Sequence, residues 1–268
     1  MPRYAVLQFN TKDDRSENLR VADELVRRAA GQGADVVCLP EMWPFIGRDE
    51  DKVGGAEELD GPSMTAMREL AMELGVWLLP GSFAERSDVP GRVYNTSVIF
   101  DPAGERRALY RKLHLFDVDV KEGAVFCESD TITPGERGVV ADLPIGTVGM
   151  SICYDLRFPE YYEWLRQAGA NVVMVPSAFT AHTGQAHWEV LLRARAIEQQ
   201  VWIVAADQWG RHNKARVSYG HSMIIDPWGL VVARCSDGEG IAIADVDLDL
   251  VERVRNGMPC ASHKRSWL

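Results

Sequence analysis

Three side chains in this sequence stand where packing alone does not need them. Cys153 follows the apolar run Val148–Ile152 and sits at the lip of a polar turn, Tyr154-Asp155-Leu156-Arg157. A thiol that only fills space belongs mid-strand, as Cys38 does in "VVCLP", whereas a nucleophile belongs at a lip. An unperturbed thiol is only a few per cent ionised at neutral pH, so a nucleophilic cysteine needs a neighbouring base or cation. Glu41 comes straight after the apolar run "DVVCLP". Strand ends are where α/β sheets hold ligands, and a carboxylate against an apolar wall can act as a base. Lys112 lies in "YRKLHLFDVDV", between Arg111 and His114 and among Leu113, Leu115 and Phe116. A lysine so embedded can hold fixed positive charge beside developing negative charge. Singly, each has an ordinary reading: a solvated loop glutamate, a lysine snorkelling from an edge strand, a small buried hydrophobe. Cys235 fits that last reading, as Cys38 does.

These residues need a scaffold that brings strand ends together. Short β-like runs alternate with helical patterns along the whole chain. "RYAVLQFN" is a strand. "SENLRVADELVRRAAGQGA" is a helix capped by Ser16, with Leu19, Ala22, Val26 and Ala29 on one face. "DVVCLP" is continuously apolar, as a strand covered on both faces must be. "PSMTAMRELAMELG" is a helix with proline early and glycine after its end. Strands "VWLLPGSF" and "YNTSVIF" follow, then a "DPAGE" turn. The second half reads as strand 145–152, helix 158–168, strand 171–175, helix 185–200 and strand 201–206. Strands near 219–226, 230–234 and 240–246 finish the sheets. "GADVVCLPE" (33–41) matches "GANVVMVPS" (169–177), and "YNTSVIFDPAG" (94–104) resembles "YGHSMIIDPWG" (219–229), offset by 136 and 125 residues in the same order. An internally duplicated α/β unit follows, with two sheets face to face, helices outside and a site at the pseudo-twofold seam. With no linker in view, 1–268 reads as one domain.

Composition excludes several classes. At 268 residues, 46% hydrophobic and 25% charged, the chain can bury an ordinary core. No apolar run reaches about 18 residues, and the start lacks a secretory signal, which leaves no membrane span. The five cysteines are odd in number and scattered, so a reduced, cytoplasmic protein is expected. A formal charge of −10 without a basic tract argues against nucleic acid. Cysteine and histidine spacings offer no zinc motif, so no metal is expected. His182 and His187 read as a loop residue and a helix start rather than a metal or acid–base pair. Trp188, Leu191, Leu192 and Ala196 recur at helical spacing and read as core or dimer contact.

In their order, "LPEMWP", "YRKLHLFD" and "CYDLRFPE" closely resemble the motifs of the carbon–nitrogen hydrolases of the nitrilase superfamily, and the resemblance runs from "VLQFN" to "PCASHKR". The resemblance implies a four-layer αββα sandwich and an amidase without cofactor. It makes Cys153 the nucleophile, Glu41 the general base and Lys112 the stabiliser of the tetrahedral intermediate. The second glutamate falls on Glu128 in "FCESDTITPG", with Glu136 as the competing choice. The Tyr154 N–H becomes the second oxyanion donor, and the turn after Cys153 then exposes the thiol and aims that N–H. The chemistry is acyl transfer in two steps through a thioester. Family members associate, so a homodimer is expected.

Within the family, Ser177-Ala178-Phe179, "HWEVLLRARAIE", Gly210-Arg211-His212 and "SYGHSMIIDPWG" resemble the deaminated glutathione amidase branch. One departure is Lys121-Glu122-Gly123, where that pattern has Pro-Gly. The sister branch, acting on 2-oxoglutaramate, would form the same acyl-enzyme, so the substrate is a small amide bearing an α-keto acid. Arg157 is the candidate for its carboxylate, with Ser177, Phe179 and Thr180 in the pocket; an ion pair with Glu160 or Asp155 is the competing role of Arg157. Arg211 and Lys214 either meet the glycine carboxylate of the longer substrate or are a solvated loop. A nitrile hydrolase, a carbamoyl-amino-acid hydrolase and a scaffold without activity are the other classes.

Overall fold

The computed structural model of the chain describes residues 1–119 and 126–265. Strand β1 (Arg3–Gln8) leads through helix α1 (Arg15–Gly31) to β2 (Val36–Cys38). Helices α2 (Asp49–Gly54) and α3 (Pro62–Leu74) precede β3 (Trp77–Leu79). Strands β4 (Phe83–Arg86), β5 (Val93–Phe100) and β6 (Arg106–Arg111) complete the first half. A small ladder pairs β7 (Asp117–Val118) with β8 (Phe126–Cys127). The second half opens with β9 (Val139–Leu143) and β10 (Gly146–Met150), then a 3₁₀ turn over Cys153–Arg157 and α4 (Pro159–Gln167). It continues through β11 (Val172–Ser177), α5 (Ala181–Gln199) and β12 (Trp202–Asp207). A hairpin of β13 (Trp209–Arg211) and β14 (Val217–Tyr219) precedes β15 (Met223–Ile225), β16 (Val231–Arg234) and β17 (Gly240–Asp245), and α6 (Leu248–Gly257) follows.

The first sheet runs β17-β1-β2-β3-β5-β4, with β6 also on β5; the second runs β16-β15-β12-β11-β10-β9. Each has three parallel strands at its centre and antiparallel strands outside them. Alternation along β1 shows why both faces are apolar. Tyr4 and Val6 point into a core shared with Val148 and Met150 of the facing sheet. Ala5 and Leu7 point the other way, onto Leu25 and Val26 of α1 and Met67 of α3. On the far side Leu165 of α4 and Trp188, Leu192 and Ala196 of α5 cover the second sheet. The layers are therefore helix, sheet, sheet, helix.

The duplication is visible bond by bond. Asp35 N–H donates to Arg3 O at 2.9 Å, and Asn171 N–H to Thr147 O at 2.9 Å; Trp77 N–H donates to Asp35 O, and Trp202 N–H to Asn171 O, both at 2.9 Å. In the two hairpins Asp101 Oδ1 accepts from Ala103 and Glu105 N–H, and Asp226 Oδ1 from Trp228 and Leu230 N–H, all at 2.9 Å. The Asp-Pro-x-Gly turns repeat because the same side-chain clamp closes both.

Boundaries differ from the sequence reading: "VWLLPGSF" divides into β3 and the start of β4, and two helix starts move. Helix α1 is capped by Asp14, not Ser16: its Oδ1 accepts from the N–H of Ser16 and Glu17. Helix α5 starts at Ala181, so His182 is helical rather than in a loop. Its start is masked in sequence by Gly184, whose role is spatial: a Cβ there would lie 2.3 Å from that of Tyr219.

Candidate active site

Glu41, Lys112 and Cys153 meet where the two sheets open at the seam. Glu41 leaves β2 beside its repeat partner: its N–H donates to Ser177 O at 3.2 Å. Its Oε1 accepts from Lys112 Nζ at 3.0 Å and Asn95 Nδ2 at 2.8 Å, and its Oε2 accepts from Ala178 N–H at 2.8 Å. Gln208 Nε2 holds the Glu41 carbonyl at 3.1 Å. The chain then turns sharply, with Met42 at φ 54°. Gly81 makes that turn possible, because a Cβ on it would sit 1.8 Å from Pro40 O.

Lys112 follows β6 and is 1% exposed. Its Nζ donates to Glu128 Oε2 at 2.8 Å as well as to Glu41. Burial works against its charge, but Glu128 and Glu41 more than offset that and raise its pKa well above the ordinary lysine value. Burial opposes ionisation of Glu128 in the same way. The ammonium of Lys112 and the Phe116 N–H, 2.8 Å away, outweigh it and hold the carboxyl below its usual range. Glu136, the competing choice, instead lines a separate surface hollow with Arg137 and Pro134.

Cys153 adopts φ 47°, a left-handed conformation rare for a side chain with a Cβ. Asp155 holds this turn. Its Oδ2 accepts from Ile152 N–H at 2.8 Å and Tyr110 Oη at 2.6 Å, while its Oδ1 accepts from His114 N–H at 3.1 Å. Tyr110 and His114 flank Lys112, so one fully buried carboxylate ties the Cys153 turn to the lysine's strand. The ring of His114 stacks on Phe158, with centroids 3.7 Å apart. Burial and the charge of Glu41 push the Cys153 thiol well above its usual pKa, with Lys112 opposing only in part. At rest the sulfur keeps its proton, and it can become a nucleophile only as a base removes that proton.

Above these groups lies a cleft of about 480 Å³, open mouth included. Tyr154, Arg157, Phe179 and Thr180 line it, as sequence analysis expects of the last three. Arg157 pairs with neither Glu160 nor Asp155. Its guanidinium lies 5.0 Å over the Phe179 ring and 5.8 Å over Tyr154, and its Nη1 is 3.3 Å from His187 Nδ1. Burial and then the nearby Arg157 charge lower the His187 pKa. Ser177 is a correction: its hydroxyl is turned into the sheet, onto Val175 O at 3.3 Å, and is fully buried away from the cleft. Arg211 takes the solvated-loop reading, folded back on its own turn with Nη1 3.4 Å from Lys214 O. The basic stretch reaches the cleft through Arg216 instead. The Lys121–Gly123 departure lies outside the described residues.

Sequence reasoning missed Asp155, Asn95 and Arg216. Asn95 carried a usable signal, as a polar residue inside an apolar strand, "YNTSVIF". Its carbonyl also accepts from Lys112 N–H at 2.9 Å, so it fixes both the lysine and the glutamate. Among the described residues no cluster of three histidine, cysteine or acidic side chains could hold a metal ion, and no helix is long and apolar enough to cross a membrane.

The carbon–nitrogen hydrolase profile matches residues 3–256, and the chain belongs to that family of hydrolases. A Homo sapiens protein described as deaminated glutathione amidase is 44% identical over 270 residues, covering 99% of this chain and 83% of its own length. A Synechocystis protein of the same description is 40% identical over 263 residues, covering 97% of both. Saccharomyces cerevisiae Nit3, described as a member of branch 10 of the nitrilase superfamily, superposes with a TM-score of 0.89 at 30% identity, covering 99% of this chain and 97% of that one.

Proposed function

We propose that the protein hydrolyses the amide of deaminated glutathione to 2-oxoglutarate and cysteinylglycine through a thioester on Cys153. One observation carries the reading. Of the charges at the cleft, Glu41 and Glu128 are both paired with the buried Lys112, while Arg157 and Arg216 are in no ion pair with a carboxylate among the described residues. Two guanidiniums lining one cleft without a carboxylate partner favour an anionic ligand. The similarity to proteins described as deaminated glutathione amidase supports the choice among anionic amides.

In the first step Glu41 takes the Sγ proton as sulfur attacks the amide carbon. The carbonyl oxygen becomes an oxyanion facing Lys112 Nζ and the Tyr154 N–H, which the left-handed Cys153 turns toward the same point. Glu41 returns the proton to the leaving nitrogen, the C–N bond breaks and the amine departs. Water, deprotonated by Glu41, then attacks the thioester. The C–S bond breaks, the acid leaves, and the proton goes back to sulfur. Glu128 orients Lys112 throughout. Arg157, cushioned on Phe179 beside Thr180, takes the α-keto acid carboxylate.

Residues 1–268 then act as one domain, supported by the core the two sheets share. A cytoplasmic setting suits five free thiols. A homodimer is supported by exposed Val190 and Ile197 on α5, next to exposed Trp228 and Leu230 of the β15–β16 turn.

The test is hydrolysis of deaminated glutathione and 2-oxoglutaramate side by side, with 2-oxoglutarate detected from both and Cys153→Ala as the blank. Faster turnover of deaminated glutathione is expected. Preference for 2-oxoglutaramate would reassign the substrate and leave the triad standing. Turnover of neither would overturn the acyl assignment.

A further inference from the structure

The catalytic cleft does not end at its own wall. A second groove of about 1030 Å³, open mouth included, adjoins it and is lined by Ile46, Arg48, His212, Lys214, Phe126 and Arg216. The last two line the catalytic cleft as well. An aromatic series connects the two spaces. Tyr154, next to the nucleophile, meets Phe116 at 5.0 Å between centroids, and Phe116 meets Phe126 at 5.3 Å. At one end Arg157 lies over Tyr154 at 5.8 Å, and at the other Arg216 lies over Phe126 at 5.7 Å. Two guanidiniums thus stand at opposite ends of three rings, with Cys153 beside one of those rings.

Arg216 is held in place from below. Its carbonyl accepts from His212 N–H at 3.0 Å, and its N–H donates to Asn213 Oδ1 at 2.9 Å. The His212 ring is wedged between Thr11 O and Ser218 Oγ, each at 2.8 Å. Of the other charged groups of the groove, Arg48 pairs with Asp51 at 2.8 Å and Asp49 with Lys52 at 2.7 Å, while Asp13 and Lys214 also line it; Lys214 is in the groove alone, whereas Arg216 lines the groove and the catalytic cleft together. Among the described residues Arg216 is in no ion pair with a carboxylate, and its charge is felt by Glu128.

We infer that Arg216 is the specificity-determining residue for the leaving group, binding the terminal carboxylate of an amine that extends past Phe126 into the second groove. This rests on the acyl assignment proposed above. An acyl group anchored at Arg157 places the scissile carbon at Cys153 and points the leaving nitrogen along the rings. Ammonia would use none of that space. A short peptide amine ending in a carboxylate would fill it and give the guanidinium a planar, bidentate partner.

The experiment uses wild type, Arg216→Leu and Arg216→Lys with three substrates: deaminated glutathione, its C-terminal carboxamide and 2-oxoglutaramate. A charge-assisted pair of this kind predicts that replacing the carboxylate by carboxamide raises wild-type KM about 10–100-fold. In Arg216→Leu the free acid should show the same rise, so that acid and carboxamide become equal, and the loss on 2-oxoglutaramate should be smaller than the loss on the free acid. Arg216→Lys should fall between. Equal wild-type KM for acid and carboxamide would overturn the inference. So would a loss common to all three substrates in Arg216→Leu, since that is the mark of an effect through Glu128. Wild type active on 2-oxoglutaramate but not on deaminated glutathione would remove the groove's role and keep the acyl pocket. Inactivity on all three would remove both. If thermal unfolding shows Arg216→Leu to be misfolded, the acid-to-carboxamide ratio of the wild type decides.

Discussion

The two halves are built from one strand–helix pattern, yet they supply different chemistry at matching positions. Glu41 follows the middle parallel strand of its sheet and Ser177 ends that of the other, and the N–H of the first bonds the carbonyl of the second across the seam. Glu41 turns its carboxylate into the site, whereas Ser177 turns its hydroxyl back onto its own strand. The first parallel strands diverge likewise. By strand register Tyr4 matches Val148, so Phe9 matches Cys153. Phe9 belongs to the core under the helices, while Cys153 stands in a left-handed turn at the site. The repeat thus provides two similar strand ends at one place, and function needs them to differ. In the proposed mechanism one half gives the base and the lysine, the other the nucleophile.

The largest effect should come from testing the matched pair. Glu41→Gln removes the group proposed to deprotonate a neutral thiol, and kcat should fall about 10²–10⁴-fold. Ser177→Ala, at the equivalent place, should leave kcat within about threefold, since only a hydrogen bond within its strand is lost. Single-turnover kinetics on both variants checks this, and comparable losses would mean that the site draws on both halves alike. Next comes Lys112→Met, which leaves the buried Glu41 and the half-buried Glu128 without their shared cation. Breaking such a pair typically costs about 3–5 kcal/mol. Thermal unfolding should show the loss, and Lys112→Met with Glu128→Gln should regain part of the stability but no activity. Unchanged Tm in the single variant would mean that water, rather than Lys112, compensates the two carboxylates.

The strands and the repeat were legible because parallel strands buried on both faces must read as continuous apolar runs. Glu41, Lys112 and Cys153 could be located because each stands within three residues of a strand end and breaks an apolar pattern there. What could not be read depends on contacts between distant segments. Asp155 looked like a partner for Arg157, two residues away, but it is bound by Tyr110 and His114, both more than 40 positions earlier. Ser177 sits in a matching motif, but a strand's alternation does not say how its last residue turns. Arg211, Lys214 and Arg216 are equally basic in sequence, and only the β13–β14 hairpin decides that Arg216 faces the cleft.

The two halves should also respond differently to acid. The hairpin carrying Arg216 rests on His212, whereas the β5–β6 hairpin of the first half contains no histidine. Burial lowers the His212 pKa to about 4, against an ordinary value near 6.5. Between those values the unfolded chain binds more protons than the folded one, so stability falls as pH falls. The contribution is complete above pH ~6.5, smaller by about 2 kcal/mol at pH 5 and lost by pH ~4, a total of about 3 kcal/mol. His212→Gln should flatten the urea-midpoint profile across that window. Its effect should include weakened binding of the longer substrate, because the His212 N–H holds the Arg216 carbonyl. A profile as steep in His212→Gln as in wild type would place the acid sensitivity elsewhere, and Glu128 is then the next group to vary, since its lowered pKa acts in the same direction.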